Sequence, residues 1–517
     1  MTTIYLPLDE RPCNWLYPQM LARLQWNFDL NTPSKELLGQ KKKAAQIDVI
    51  TQWLLNQISH TSIAIVSLEM LVYGGLLPSR LHHDSVETLL QRLEILRELK
   101  VRRPNLKILA SNLIMRTPRY SSSEEEPDYY EQWGQEIFTW GWLTDKKQRV
   151  GLTDAEQSQL AQIDKTLPVE YLTDYRDRRA KNLEVNKAAI ALVKSGVIDF
   201  LAIPQDDCAR YGFTALDQQV IVQQIRVDRL QSKIHLYPGA DEVGCTLLAR
   251  ADGYYGDYQH QRRKVYVLYS SVCSEQIVPL YEDRPLGESV KAHILAAGAQ
   301  MVHSPQEADL VLAINTAGQV MQEAWDQDKK DITYNSYRNL NGFVEQIKKF
   351  AIEGPEVAIA DVAFANGGET ELIHLLDDAQ ILTEIVAYGG WNTCCNTIGS
   401  ILGAAILAAN QSNSRAITHT VIYHLLEDWL YQAIVRQDII HTYLPTIGAS
   451  YYDFQGHDQQ VADEIARRLL VEFRAQLRNS FTDVEVSRLA IALPWQRMFE
   501  IGMDLELKWP EFRDPLF

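Results

Sequence analysis

Ten short apolar runs, spaced by segments of helical period, leave few folds open to this chain. "TIYLPL", "SIAIVSL", "LKILASNLI", "DFLAIPQ" and "KIHLYPG" alternate with stretches such as "SVETLLQRLEILRELK" and "ALDQQVIVQQIRVDRL". After a polar and aromatic break, "ADGYYGDYQHQRRK" at 251–264, the pattern restarts with "VYVLYSS", "AQMVHS", "ADLVLAINT", "EVAIADVA" and "ILTEIVAYGG". A strand apolar along its whole length is buried on both faces. Between helices, this means parallel sheets covered on both sides and joined by right-handed crossovers. The fold class is α/β. Two sets of five suit two doubly wound, Rossmann-like domains facing each other across a cleft. The alternative, a TIM-like (β/α) barrel with an extra domain, leaves two strands unassigned.

The expected organisation is a first α/β domain at 1–255, a second at 256–410 and a mainly helical region at 411–517, where the strand signal fades into "VIYHLLEDWLYQAIVRQDII" and "QQVADEIARRLLVEFRAQLRNSF". A long insertion at 117–180 carries "SSSEEEPDYYEQWGQEIFTWGWLTDKK". An insertion of that length in a compact domain reads as a lid, a binding loop or a disordered segment.

A net charge of -17 disfavours a nucleic-acid backbone as partner, since such binding runs on basic contacts. The apolar run "IGSILGAAILAA" at 398–409 is shorter than the about 20 residues needed to span a bilayer, so it reads as a buried helix. The start shows no secretory pattern, and the expected compartment is the cytoplasm. Six scattered cysteines fit reduced thiols better than a disulfide framework or a zinc site. No GxGxxG, GxxxxGK[ST], GxSxG or HExxH motif occurs, which disfavours nucleotide cofactors and two common hydrolase designs.

In either α/β architecture ligands bind where strands end. Those positions hold Asp9 and Arg11, Glu69 and Tyr73, Arg116, then Asp206, Asp207, Arg210 and Tyr211, then Asp241 and Glu242. The second set offers Asn315, Asp361, Asn366, Trp391, Asn392 and Asn396. Helix capping explains single Asp and Asn residues at such places. It leaves the adjacent acids Asp206–Asp207 and Asp241–Glu242 unexplained.

Two close carboxylates push their pKa values apart, so that one can donate a proton while the other stays ionised. Glycosidic hydrolysis needs such a pair. The expected function is therefore a carbohydrate-active enzyme, a glycoside hydrolase with Asp206, Asp207, Asp241 and Glu242 as its acids. Asp9, Arg11, Tyr73, Arg116, Arg210, Tyr211, Asp361, Asn366, Trp391, Asn392 and Asn396 would bind a saccharide or other small-molecule substrate, and no cofactor is required. One alternative is a metal-dependent enzyme of sugar or sugar-phosphate metabolism using the same acids on a divalent cation. The other is a non-catalytic small-molecule binding protein. Tyr129, Tyr130, Trp133, Trp140, Trp142 and Trp391 would stack on sugar rings or, alternatively, pin the insertion to its own domain. Arg11, Arg116 and Arg210 would pair with carboxylates or clamp an anionic group. Oligomeric state stays open.

At "LPLDERP", "LVYGGLLPSR", "EEEPDYYEQWG", "PQDDCARYG", "YPGADEVG" and "GGWNTCCNTIG" the chain resembles a bacterial family known as domain of unknown function 4127, over nearly its full length. That resemblance implies no activity and adds no catalytic residue. The tandem Asp after a fourth strand is also similar to the acid pair of certain β-N-acetylglucosaminidase barrels.

Overall fold

The computed structural model describes residues 2–26, 28–254, 262–408 and 413–509. Residue contacts divide it into two units, the first made of 2–22, 28–254 and 281–284 and the second of the rest. The helical C-terminal region belongs to the second unit. The expected breaks at 255/256 and 410/411, and the middle of the polar stretch 251–264, lie outside the described residues.

The first unit is built on six parallel strands, β1 (Thr2–Leu6), β2 (Asp29–Asn31), β3 (Thr61–Ser67), β4 (Lys107–Ser111), β5 (Phe200–Gln205) and β6 (Ile234–Pro238). Their order is β2-β1-β3-β4-β5-β6. Ile4, Leu6, Ala64, Val66, Ile108, Ala110, Leu201 and Ile203 pack with Leu89, Leu93, Leu96, Leu99, Val185 and Ile190 from the covering helices. Each large side chain buried in this way contributes on the order of 1.5–3 kcal/mol. Five of the strands are the five apolar runs. The additional one, β2, is three residues long, polar, and sits at an edge.

The second unit carries β7 (Lys264–Tyr269), β8 (Gln300–Val302), β9 (Leu310–Thr316), β10 (Gln322–Glu323), β11 (Glu356–Val362), β12 (Phe364–Ala365) and β13 (Ala387–Gly389). Five of these form a parallel sheet in the order β13-β11-β9-β7-β8, and β10 pairs with β12. Neither large sheet closes on itself, so the barrel alternative fails. The apolar run from 398 lies in the buried helix Cys394–Ala408, and no helix among the described residues is long and apolar enough to cross a membrane. The C-terminal region is mostly helical, with Ser414–His424 running into a π-helical stretch at Leu425–Val435. It also contains an antiparallel hairpin, β14 (Glu485–Ala492) with β15 (Gly502–Lys508), which the helical expectation omitted.

Of the readings of the insertion, the disordered segment does not hold. The insertion folds as the helices Tyr130–Arg149 and Asp154–Thr166 and the first part of Val169–Lys194. Thr153 and Glu156 close a reciprocal capping box at the middle helix. Tyr130, Ile137, Leu143, Leu160, Ile163, Tyr175 and Phe213 form a core of its own, against which Tyr129, Trp133, Trp140 and Trp142 pack. Of the two uses offered for these aromatics, the geometry is that of packing.

Candidate functional site

Strand order reverses between β1 and β3 in the first sheet, and between β7 and β9 in the second. Doubly wound sheets open a crevice beyond the strand ends at such points. In the first unit the segments after the strand ends carry two ion clusters.

The first cluster surrounds the tandem aspartates. Arg116 uses all three guanidinium nitrogens: Nε donates to Glu126 at 2.8 Å, Nη2 to Glu125 at 2.8 Å and Nη1 to Asp207 at 3.1 Å. Arg80 pairs with Asp206 and lies 3.3 Å from both Glu125 and Glu126. Both arginines and Glu126 are buried, whereas Asp206 and Asp207 stay partly open. Asp207 takes a left-handed backbone, φ 21°, a conformation that Asp tolerates better than most residues. Burial lifts its carboxyl to about 6, with Arg116 pulling down and Asp206 pushing up. Arg80 gets its place from the turn at Gly74, where φ is 83° and a Cβ would come within 2.8 Å of the Ala45 nitrogen.

The second cluster ties β6 to β1. Four inter-strand steps, about 19 Å, separate these strands in the sheet. The helix Val243–Asp252 packs back on β3, β4 and the helix Pro12–Ala22, so the loop 239–242 crosses the strand-end edge. Arg11 Nε and Nη2 donate to Asp9 at 3.0 and 2.8 Å, and both its Nη groups reach Asp241. Asn14 Nδ2 donates to Asp9 at 3.0 Å. Glu242 is wholly buried, accepts from Thr246, and is pushed by burial up to about 8. Glu69, also buried and raised by burial to about 7, accepts from Asn112 and the Leu113 amide at 2.7 Å.

Gly244 sets the close approach of that helix, since a Cβ there would lie 2.1 Å from the Tyr5 hydroxyl. That hydroxyl donates to the Asn14 carbonyl at 2.6 Å in a buried position. Gly244→Ala should therefore cost about 1–3 kcal/mol of stability. The thermal midpoint checks it, and adding Tyr5→Phe should recover part of the loss.

Beside Asp207 a cavity of about 50 Å³ is lined by Thr117, Tyr120, Phe138, Tyr211, Phe213 and Tyr281, among others. Arg210 is exposed and lies over the Tyr211 ring, 5.5 Å from its centroid. Tyr73 is buried at the end of the helix Leu68–Tyr73 with its ring against His82, and joins neither ion cluster.

In the second unit Asn315 donates at 2.8 Å to both Asp361 and Glu369, and Arg338 grips Glu369 at 2.6 and 2.7 Å. Burial, then Glu369, raises Asp361 to about 7. All four side chains are buried, an arrangement suited to locking strand ends together. Asn366 and Asn392, both left-handed, meet through the Asn366 amide on the Asn392 carbonyl at 2.9 Å. Trp391 is buried with its ring edge-on to Phe499, and Asn396 is buried in the first turn of Cys394–Ala408.

The sequence profile described as "Protein of unknown function (DUF4127)" matches residues 3–504. The chain belongs to the DUF4127 family. No curated protein matches it in sequence. The phrases that carry the family resemblance fall on the loops just described. In this DUF4127 chain "LPLDERP" holds Asp9 and Arg11, "LVYGGLLPSR" ends in Arg80, "EEEPDYYEQWG" supplies Glu125 and Glu126, and "YPGADEVG" supplies Asp241 and Glu242. Arg80, Glu125 and Glu126 were not among the expected site residues. The three consecutive acids downstream of Arg116 were the available signal. Among the described residues no three His, Cys, Asp or Glu side chains are grouped so as to hold a metal ion.

Proposed function

We propose that this DUF4127 protein is a glycosidase-like hydrolase of a polar, saccharide-class small molecule, with Asp207 as proton donor and Asp206 as its charge-bearing partner. One observation carries the reading. Two adjacent carboxyls at a strand end are held differently, Asp206 paired with Arg80 and Asp207 raised to about 6 beside an aromatic cavity. A carboxylic acid with a pKa near the working pH is suited to general acid catalysis. Asp241 and Glu242 brace the loop over the strand ends, and Glu125 and Glu126 keep the two arginines in place. At about 50 Å³ the cavity suits a few water molecules and is too small for a pyranose ring, which would lie at its mouth. Six cysteines, with no disulfide among the described residues, fit a reducing, cytoplasmic setting.

The test is a panel of aryl glycosides and sugar phosphates, with and without Mg²⁺ or Mn²⁺. Asp207→Asn should lower kcat by 100-fold or more with little change in KM, and the wild-type rate should fall as pH rises through about 6. Full activity in the Asp206→Ala/Asp207→Ala variant would remove the assignment. A strict need for metal would favour the metal-dependent alternative. Tight ligand binding without turnover would favour a binding protein.

A further inference from the structure

Ala209 and Arg210, in the loop that follows Asp207, also border a second hollow. It is a groove of about 490 Å³ lined by Arg149, Arg210, Gln218, Gln223, Arg226 and Asp283, among others. Such a volume falls within the range of small-molecule sites. In a chain with 67 acidic and 50 basic residues, three guanidinium groups around one groove are a local reversal of sign. Arg149 and Arg210 both lie 5.5 Å from the Tyr211 ring centroid, which brings the two cations to the same side chain. Arg149 is paired with Asp145 at 2.7 Å. Arg210 and Arg226 are exposed and make no ion pair among the described residues. The single acid of the groove, Asp283, is engaged by Arg284 and by Gln205. The groove is therefore a cationic surface with amide donors beside it, one loop away from Asp207.

We propose that the substrate is an anionic saccharide, its carboxylate or phosphate held by Arg210 and Arg226 in this groove while the bond to be cleaved reaches Asp207. This rests on the hydrolase reading for the bond cleaved, and on the groove alone for the charge. Arginine suits the task because its planar donor fork matches both oxyanions.

The experiment measures calorimetric binding of 4-nitrophenyl glucuronide, 4-nitrophenyl glucoside and glucose 6-phosphate to the Asp207→Asn protein, with wild-type turnover of the two aryl glycosides in parallel. At least one anionic probe should bind 10-fold or more tightly than the glucoside. Arg210→Gln/Arg226→Gln should abolish that preference, with an unchanged thermal midpoint showing that the fold is intact. Preference for the glucuronide identifies a uronate, and preference for the phosphate identifies a sugar phosphate. Equal binding of neutral and anionic probes, a preference that survives in the double arginine variant, or no binding of either anion at millimolar concentration overturns the proposal. A preference without turnover of any probe leaves the anion site standing and removes the hydrolase reading. Cleavage of the neutral glucoside as fast as the glucuronide does the reverse.

Discussion

Arg116→Ala should destabilise the protein by about 3–5 kcal/mol, the cost of stripping the partner from buried charges. The residue donates from Nε, Nη1 and Nη2 to three different carboxylates, one of which, Glu126, has no exposure at all. Without the guanidinium, Glu125, Glu126 and Asp206 keep Arg80 as the buried cation they share, beside Asp207. Arg116→Lys keeps the charge but offers a point donor in place of the fork, and should recover less than half of the loss. Arg116→Met combined with Glu126→Gln removes charge from both sides and should be far milder than Arg116→Ala, because deleting a buried pair costs less than orphaning one member. Urea midpoints for the four proteins check this ordering. A loss under 1 kcal/mol for Arg116→Ala would show the cluster to be solvated and loosely held.

Stability should also fall as pH rises from about 4.5 to about 8, and Glu242→Gln should flatten the part of that slope above about pH 7. Glu242 has a folded pKa of about 8, well above its value in the unfolded chain. Over that interval the native state binds more protons than the unfolded state, so the contribution of this carboxyl is greatest at acid pH and is lost as it ionises inside the fold. A shift from 4.5 to about 8, at about 1.4 kcal/mol per pKa unit, corresponds to roughly 5 kcal/mol. Glu69 and Asp361, both raised to about 7 by burial, add to the slope below neutrality. Groups held low act in the opposite sense and over a lower range: Asp377, which accepts from the Arg478 and Ser480 amides, loses its contribution only as pH falls below the usual carboxylate range. Optimum stability is thus expected near pH 5. Scanning calorimetry from pH 4.5 to 9 on wild type and Glu242→Gln measures it. Parallel curves for the two would mean that Glu242 stays ionised in the native state.

The parallel strands were legible in the sequence because burial on both faces leaves an uninterrupted apolar run, as in "SIAIVSL" for β3. Asp29–Asn31 escaped because an edge strand of three residues has one neighbour to pair with and needs no apolar face. The hairpin at 485–508 was obscured by the helical segments before it, although residues 488–492 alternate intermediate and exposed side chains at the period of a strand. At the site, topology pointed to the acids, since strand ends are where a parallel sheet gathers polar groups. Their partners were harder to see. Arg80 sits two short helices past its strand, and Glu125 and Glu126 sit at the start of an insertion whose packing had to be known before the acids could be placed. The aromatics of that insertion show how composition misleads: rings suited to stacking on a sugar are equally suited to filling a small core.

The return of residues 281–284 to the first unit bears on any attempt to cut the protein in two. Cys208 donates its amide to the Tyr281 carbonyl, and Asp283 and Arg284 together hold Gln205 at the end of β5. A chain ending at 254 would lose those partners at the very loop that carries Asp206 and Asp207. Expressing the N-terminal half by itself should therefore yield a protein with a disturbed candidate centre even where its sheet assembles, and dissection experiments need the full-length polypeptide as their reference.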